Sequence, residues 1–430
     1  MNQTENGQRI CRIIDGRRDE IIGVLQTLVR FPTPTGQETE GQKYLQSLYS
    51  DLGLKVVAFE ADTAKISRHK AYVDSGFGFK GRPNIIGILE GEPSARSLIL
   101  NGHMDVVSAE PVAEWQYSPW EGKIVGNKLY GRGAWDMKSG LTANYFALKS
   151  VLDAGLKPRG TVMLQSVIEE ESLGGGGTLA CLLEGFTADG MIIPEPHMKT
   201  TLAHPGILFF RVRVLGKPAH AGEAHTGVNA IGKMNQVYQA IVTLDERRAE
   251  QRHYPLFERN SGRSCHICIG TYRAGDWIST VAGWAEMECR LSYLPGENVD
   301  EVKDEVLQAM QAISGSDDWL AQHPPEITWL ARFADAWEQS PDASFVTAFQ
   351  STAAKILASG AEISGATWGM DTRHAMYFNL PAISFGPDGE NIHGINECVD
   401  LDSVIDCTKI FALFIMEWCG YLKSRDGKAG

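Results

Sequence analysis

The stretch VIEEESLGGGG, residues 167–177, sets Glu169, Glu170 and Glu171 side by side between an apolar run and four glycines. Three adjacent carboxylates at the end of a buried strand repel one another and raise each other's pKa. A bound cation is the leading way to neutralise them. Four more strand ends carry ligand-type side chains. His103 and Asp105 close LILNGHMD, Asp136 sits in GRGAWDMKSG ahead of a helix, Glu195 follows MIIP, and ISFGPDGENIHG leads to His393. In α/β proteins such ends converge on one crevice. A single polar residue after a strand is usually a cap or turn former, but five together point to a metal centre.

The spacing His103-x-Asp105 puts both side chains on one strand face. Asp105 is then expected to accept the imidazole's second N–H and fix its tautomer. Asp136 alone would read as a helix N-cap; its company makes it a ligand. The four glycines leave two readings open, a close backbone approach to a ligand or simply the start of the next helix.

The elements that must position these groups follow an α/β rhythm. Apolar residues Ile21, Ile22, Leu25, Leu28 and Val29 recur at helical spacing until FPTPTG breaks the helix. A second helix runs through Leu52, followed by strands LKVVAF, NIIGILEG and SLILNGHMD and a helix from Ser139 to Ala154. Strand GTVMLQSVI, helix GTLACLLEGF and strand GMIIPEP continue the alternation, which implies a mainly parallel, doubly wound sheet. Near Gly206 the pattern becomes a β-α-β-β-α unit of ~115 residues, compact enough to be a domain. From EITWLARF the α/β rhythm returns. The expected division is a catalytic domain over 1–205 and 323–430, interrupted by an α+β domain over 206–322.

At 430 residues the chain exceeds one ordinary core. Forty basic and 53 acidic side chains leave a formal charge of −13, which argues against nucleic acid or anionic membranes as partners. Eight cysteines, at 11, 181, 265, 268, 289, 398, 407 and 419, are scattered through apolar segments, as in a reduced cytoplasmic protein. CHIC at 265–268 alternates like a strand and has no second CxxC, so a structural strand is preferred over a zinc knuckle. The N-terminus lacks an apolar signal core, and no run approaches the ~20 apolar residues of a membrane span.

Taken in order, the H-x-D strand end, GRGAWDMK, the acidic run, Glu195 and His393 resemble the di-zinc amidohydrolase and exopeptidase family. That family contains acetylornithine deacetylase, succinyl-diaminopimelate desuccinylase, aminoacylase and glutamate carboxypeptidase. The resemblance runs from FPTPTGQE to HGINECVD and implies a ferredoxin-like inserted domain that dimerises. It also implies two Zn²⁺, with Co²⁺ or Mn²⁺ as substitutes: His103 and Glu195 on one, Glu171 and His393 on the other, Asp136 bridging. Two zinc ions bring +4 against −3 from Asp136, Glu171 and Glu195, so the crowding is compensated. Glu170 is then the general base for a metal-bound hydroxide, supported by Asp105; a slip of one residue would make Glu169 the base and Glu170 the ligand. In the preferred register Glu169 is a solvated neighbour without a role, standing where the family has an aspartate.

The resemblance further implies that His220, in GKPAHAG, stabilises an oxyanion at a partner subunit's site. Arg290 stands at the family's carboxylate-gripping position, while DWISTVAG places Ser279 and Thr280 where many relatives carry an asparagine. The remaining histidines, His69, His197, His204, His225, His253, His266, His323 and His374, have no comparable setting. The implied activity is hydrolysis of an N-acyl amino acid or related amide by a cytoplasmic homodimer. The alternatives are a metallo-exopeptidase or a formamide deformylase. A zinc-stabilised binding protein is disfavoured, having no reason to keep a base beside its metals.

Overall fold

The computed structural model describes residues 3–423, and the chain forms two compact units. One holds the residues up to Leu202, Gln339–Ile363 and those from Met370 onward; the other holds Ala203–Glu338 and Ser364–Gly369.

The first unit is built on an eight-stranded sheet whose centre is parallel. Strand Leu98–His103 lies between Val162–Val167 and Met191–Ile193, and Ala382–Ser384 pairs with Met191–Ile193, all in parallel. Asn84–Leu89 and Lys55–Phe59 extend one edge antiparallel. Every residue of Leu98–His103 and Val162–Val167 is buried, as expected of strands covered on both faces. Alternation sorts the faces. Leu98, Leu100, Val162, Leu164, Ile192 and Ile383 join one core with helices Ser139–Asp153 and Leu401–Cys419. On the opposite face Asn101 hydrogen-bonds Gln165 and also Thr178, which opens helix Thr178–Leu183. Helices therefore cover both faces, the doubly wound arrangement expected.

Helix Leu401–Cys419 is largely buried because its sequence is apolar apart from one narrow stripe, Asp402, Asp406, Lys409 and Glu417, that stays at least partly exposed. Asp400 caps it by accepting the Ser403 N–H at 2.9 Å. Phe414 and Trp418 pack edge-on against Phe345, with centroids 5.4 and 4.9 Å away. The N-terminal residues, polar on casual inspection, form a further helix, Gln3–Gly16, which buries Ile10 and Ile14 completely.

The second unit is a four-stranded antiparallel sheet in the order Ile267–Ala274, Trp284–Tyr293, Gly206–Leu215, Glu326–Ala334. Helices Ala230–Gln251 and Val299–Ser316 supply Met234, Val237, Ile241, Val302 and Val306 to its core, against Phe210, Val212, Met287 and Leu291. This is the ferredoxin-like β-α-β-β-α-β pattern. One correction concerns its last strand. Glu326–Ala334 carries EITWLARF, which sequence rhythm assigns to the catalytic domain, yet it pairs antiparallel with Gly206–Leu215, setting Arg213 opposite Glu326. Its partly exposed alternation suits an edge strand with one wet face rather than a buried parallel one. CHIC runs into strand Ile267–Ala274, with Cys265 buried and Cys268 exposed, and all eight cysteines are free thiols. Among the described residues, no helix is long and apolar enough to cross a membrane.

Arg248 ties the two helices of this unit together. It is 2% exposed and reaches Glu305 at 2.7 Å and Glu297 at 2.9 Å, while Arg252 binds the same two carboxylates from the surface side. Breaking a buried pair from one side leaves uncompensated charge. Arg248→Met should therefore cost about 3 kcal/mol in urea unfolding. A loss under about 1 kcal/mol would show that Arg252 alone satisfies both carboxylates.

Candidate metal centre

Four of the parallel strands lead from their carboxyl ends to ligand-type groups. His103 is the last residue of its strand and is 1% exposed. Val167 lies opposite it in register, so Glu169, Glu170 and Glu171 emerge directly beside it. Glu195 follows strand Met191–Ile193, and the chain after Ala382–Ser384 leads to His393. Asp136 arrives from the turn Ala134–Lys138 that opens helix Ser139–Asp153, with non-helical angles of −113° and 96°.

These residues gather into two donor groups, His103 with Asp136 and Glu195, and Asp136 with Glu171 and His393; within each, the donor atoms lie within 4.8 Å of one another. Asp136 divides its oxygens between them, Oδ1 at 3.2 Å from His103 Nε2 and Oδ2 at 3.3 Å from His393 Nε2. His393 Nε2 is also 2.9 Å from Glu171 Oε2, and His103 Nε2 is 3.7 Å from Glu195 Oε1. Imidazole nitrogen and carboxylate oxygen are donors that suit zinc. Glu195 Oε1 is moreover buried with no hydrogen-bond partner, as a cation ligand would be.

The electrostatics show what a cation would replace. Burial pushes Glu195 well above the usual carboxylate range, and the Asp136 and Glu170 charges add to the shift. Hydrogen bonds from the imidazole to Asp136 and Glu171 raise His393 to about 11. Burial opposes a charged His103, but its hydrogen bond to Asp136 and the Glu195 and Glu170 charges carry it well upward.

Glu170 belongs to neither group. It is buried, with Oε2 3.9 Å from His103 Nε2, and burial lifts it well above the usual range, opposed by His103 and reinforced by Asp371. Asp105 differs from expectation. The His103 Nδ1 hydrogen bond goes to the Asp105 main-chain carbonyl at 2.8 Å, and the carboxylate stands 3.6 Å off. That carboxylate instead accepts the N–H groups of Glu170 and Glu171, each at 3.2 Å, and the Thr35 hydroxyl at 2.9 Å. The same residue thus holds the imidazole with its backbone and the acidic pair with its side chain.

Glu169 is not solvated. It is fully buried at φ +70°, with Oε1 accepting from Arg82 at 2.9 Å and Ser75 at 2.6 Å, and Oε2 from the Gly176 N–H at 3.1 Å. Arg82 forks onto Glu38 with its other nitrogens at 2.6 and 2.8 Å. The glycines make room for this carboxylate: a Cβ on Gly174 or Gly176 would lie 2.3 or 2.8 Å from Glu169 Oε2. Gly177 also precedes helix Thr178–Leu183, so the helix-opening reading holds for the last of the four.

The residues expected at the substrate lie in the second unit. His220 is exposed, its Nδ1 accepting from the Gly222 N–H at 3.1 Å. Ser279 and Thr280 adjoin it, through the Ala221 N–H on the Ser279 carbonyl and a bridge between His220 and Thr280. Arg290 lies on strand Trp284–Tyr293 and donates to the Thr367 carbonyl at 3.3 Å. Sequence reasoning passed over Asp371 and Arg373 and set His374 aside. All three are buried in the first unit, with Asp371 3.4 Å from both Arg373 and His374, and Asp371 and Arg373 both act electrostatically on Glu170. The only sequence signal was a charged triplet in MDTRHA ahead of a strand.

Glu169 and Glu171, on either side of Glu170, should have separable roles. Glu169→Ala should destabilise the protein by about 3 kcal/mol, the scale for a broken buried ion pair, while the folded variant keeps its full metal content. Glu171→Ala should instead lower bound metal with a smaller loss of stability. Denaturant unfolding and elemental analysis of the two variants check both; metal loss on Glu169→Ala would shift the ligand register by one.

The sequence pattern of peptidase family M20/M25/M40 matches residues 99–417. N-formyl-4-amino-5-aminomethyl-2-methylpyrimidine deformylase of Halalkalibacterium halodurans is 27% identical, over 96% of this chain and 97% of its own. A probable succinyl-diaminopimelate desuccinylase of Staphylococcus aureus is 31% identical over 60% of each chain. The fold matches that of a dipeptidase from Saccharomyces cerevisiae with a TM-score of 0.74 at 13% identity, covering 100% of both chains. With two donor groups at the strand ends and a family match over most of its length, this chain belongs to peptidase family M20/M25/M40 and is a metal-dependent amidohydrolase.

Proposed function

We propose that the chain hydrolyses the amide bond of a small N-acyl amine, N-acyl amino acids and N-formyl amines included, with one Zn²⁺ on each donor group. The observation that carries this reading is Glu170, a buried carboxylate 3.9 Å from His103 Nε2 that neighbours both groups and belongs to neither. Bound zinc supplies Lewis acidity at the amide carbonyl and lowers the pKa of water. Glu170 removes a proton from the attacking water and passes it to the departing nitrogen. Water thereby adds to the carbonyl carbon, the C–N bond breaks, and a carboxylate and an amine leave. Asp105 holds Glu170 and His103 at a fixed separation during both transfers.

The deformylase relative, similar over nearly the whole chain, supports a short acyl group on a primary amine. Arg290 supports a second reading, an exopeptidase gripping a peptide carboxylate with its guanidinium fork. Ser279 and Thr280 would then border the acyl or amine pocket. The free cysteines support the cytoplasm as the compartment.

Purified zinc-loaded protein should release free amine from at least one of a panel of N-formyl, N-acetyl and N-succinyl amides. Turnover of dipeptides alone would favour the exopeptidase. Glu170→Gln should lower kcat by ~10²–10⁴-fold with metal content unchanged; wild-type turnover in that variant would remove the base from the mechanism.

The proposal includes a homodimer in which His220 of the partner subunit donates to the developing oxyanion. His220→Ala and Glu170→Ala homodimers should each be inactive. Random exchange between them makes half the dimers hybrid, each with one working site, so activity should recover to about a quarter of wild type. No recovery after exchange verified by native mass spectrometry would place His220 outside the partner's chemistry.

A further inference from the structure

Arg132 and Glu397 are 2% and 1% exposed and pair at 2.6 Å. Glu397 Oε1 accepts the N–H groups of Trp135 at 2.9 Å and Asp136 at 3.1 Å, and Oε2 also takes the Gly133 N–H at 3.1 Å. The other Arg132 nitrogen, Nη2, donates to the carbonyls of His393 at 3.0 Å and Gly394 at 3.1 Å. One buried ion pair therefore joins the main chain at Asp136 to the main chain at His393.

The two histidines of the donor groups differ in what else holds them. His103 ends a fully buried strand, and its ring is tied to the Asp105 carbonyl. His393 lies between strands Gly389–Glu390 and Cys398–Asp400, outside regular structure, with its side chain 51% exposed. Its φ is +58°, a left-handed conformation that a non-glycine residue disfavours. Neither burial nor a strand ladder keeps His393 where Glu171 and Asp136 need it, whereas Arg132 grips its carbonyl directly.

We propose that the Arg132–Glu397 pair is the positioning device of the second cation site. Occupancy of the Asp136–Glu171–His393 group depends on it, and occupancy of the His103–Asp136–Glu195 group survives without it. The inference rests on the two-cation reading above, so its test begins by counting cations in the wild type.

Zinc is the probe. Apo-protein is dialysed against fixed free Zn²⁺, bound metal is counted by elemental analysis, and ¹¹³Cd-loaded samples are examined by NMR. Wild type should hold two equivalents and give two cadmium resonances. Arg132→Gln should keep one equivalent and one resonance, with the second site weakened at least ~10-fold, the scale for losing the support of a metal ligand. Arg132→Lys keeps the charge beside Glu397 but cannot fork onto two carbonyls, so it should restore the second site partly. Two equivalents at wild-type affinity in both variants would overturn the proposal, as would joint loss of both equivalents with a native circular dichroism spectrum. Should Arg132→Gln fail to fold, Arg132→Lys alone decides between the same outcomes. Fewer than two equivalents in the wild type would instead defeat the two-cation reading, and the positioning role with it.

Discussion

Repulsion among carboxylates is the constraint around which the first unit is built. Asp136, Glu170, Glu171 and Glu195 converge on two imidazoles at the ends of parallel strands, where burial makes every unneutralised charge costly. The fold meets this cost locally. Asp105 spends its carboxylate on backbone N–H groups, and Glu169 turns away to Arg82. What remains is a set of oxygens in two donor groups that have Asp136 in common. A divalent cation at each position would neutralise this set of carboxylates.

The gathering of ligand-type side chains was legible in the sequence because residue type and strand-end position survive projection onto one dimension. His103, Asp136, Glu171, Glu195 and His393 each follow an apolar run or precede a helix, and parallel pairing brings such points together. The state of Glu169 was not legible. Whether a glutamate is solvated or buried depends here on Arg82, far back in the chain, and nothing local announces that pairing. The Asp105 geometry was hidden for a related reason: two-residue spacing predicts a shared face but not which oxygen the imidazole will find. Arg132 and Glu397 stood inside the quoted motifs, but their role lies in contacts to main-chain groups, which side-chain pattern does not encode.

The second unit shows how far rhythm can carry a fold. Five of its six principal elements are readable from periodicity and turns. The sixth, Glu326–Ala334, follows a helix, where an α/β rhythm also places a strand. Only its pairing with Gly206–Leu215, the first strand of the unit, assigns it. Closure by a strand so distant in sequence is a property of topology rather than of local preference.

The parallel pairing of Ala382–Ser384 with Met191–Ile193 also bears on the order in which the protein is made. Chains emerge from the ribosome amino end first, and contacts between distant segments must wait. The acidic run, Asp136 and Glu195 are all synthesised before the second unit, whereas His393 follows it. A nascent chain therefore carries the carboxylates through the synthesis of the entire second unit before the last imidazole emerges. Until then the half-finished sheet lacks Ala382–Ser384, and the Asp136–Glu171–His393 donor group lacks its imidazole.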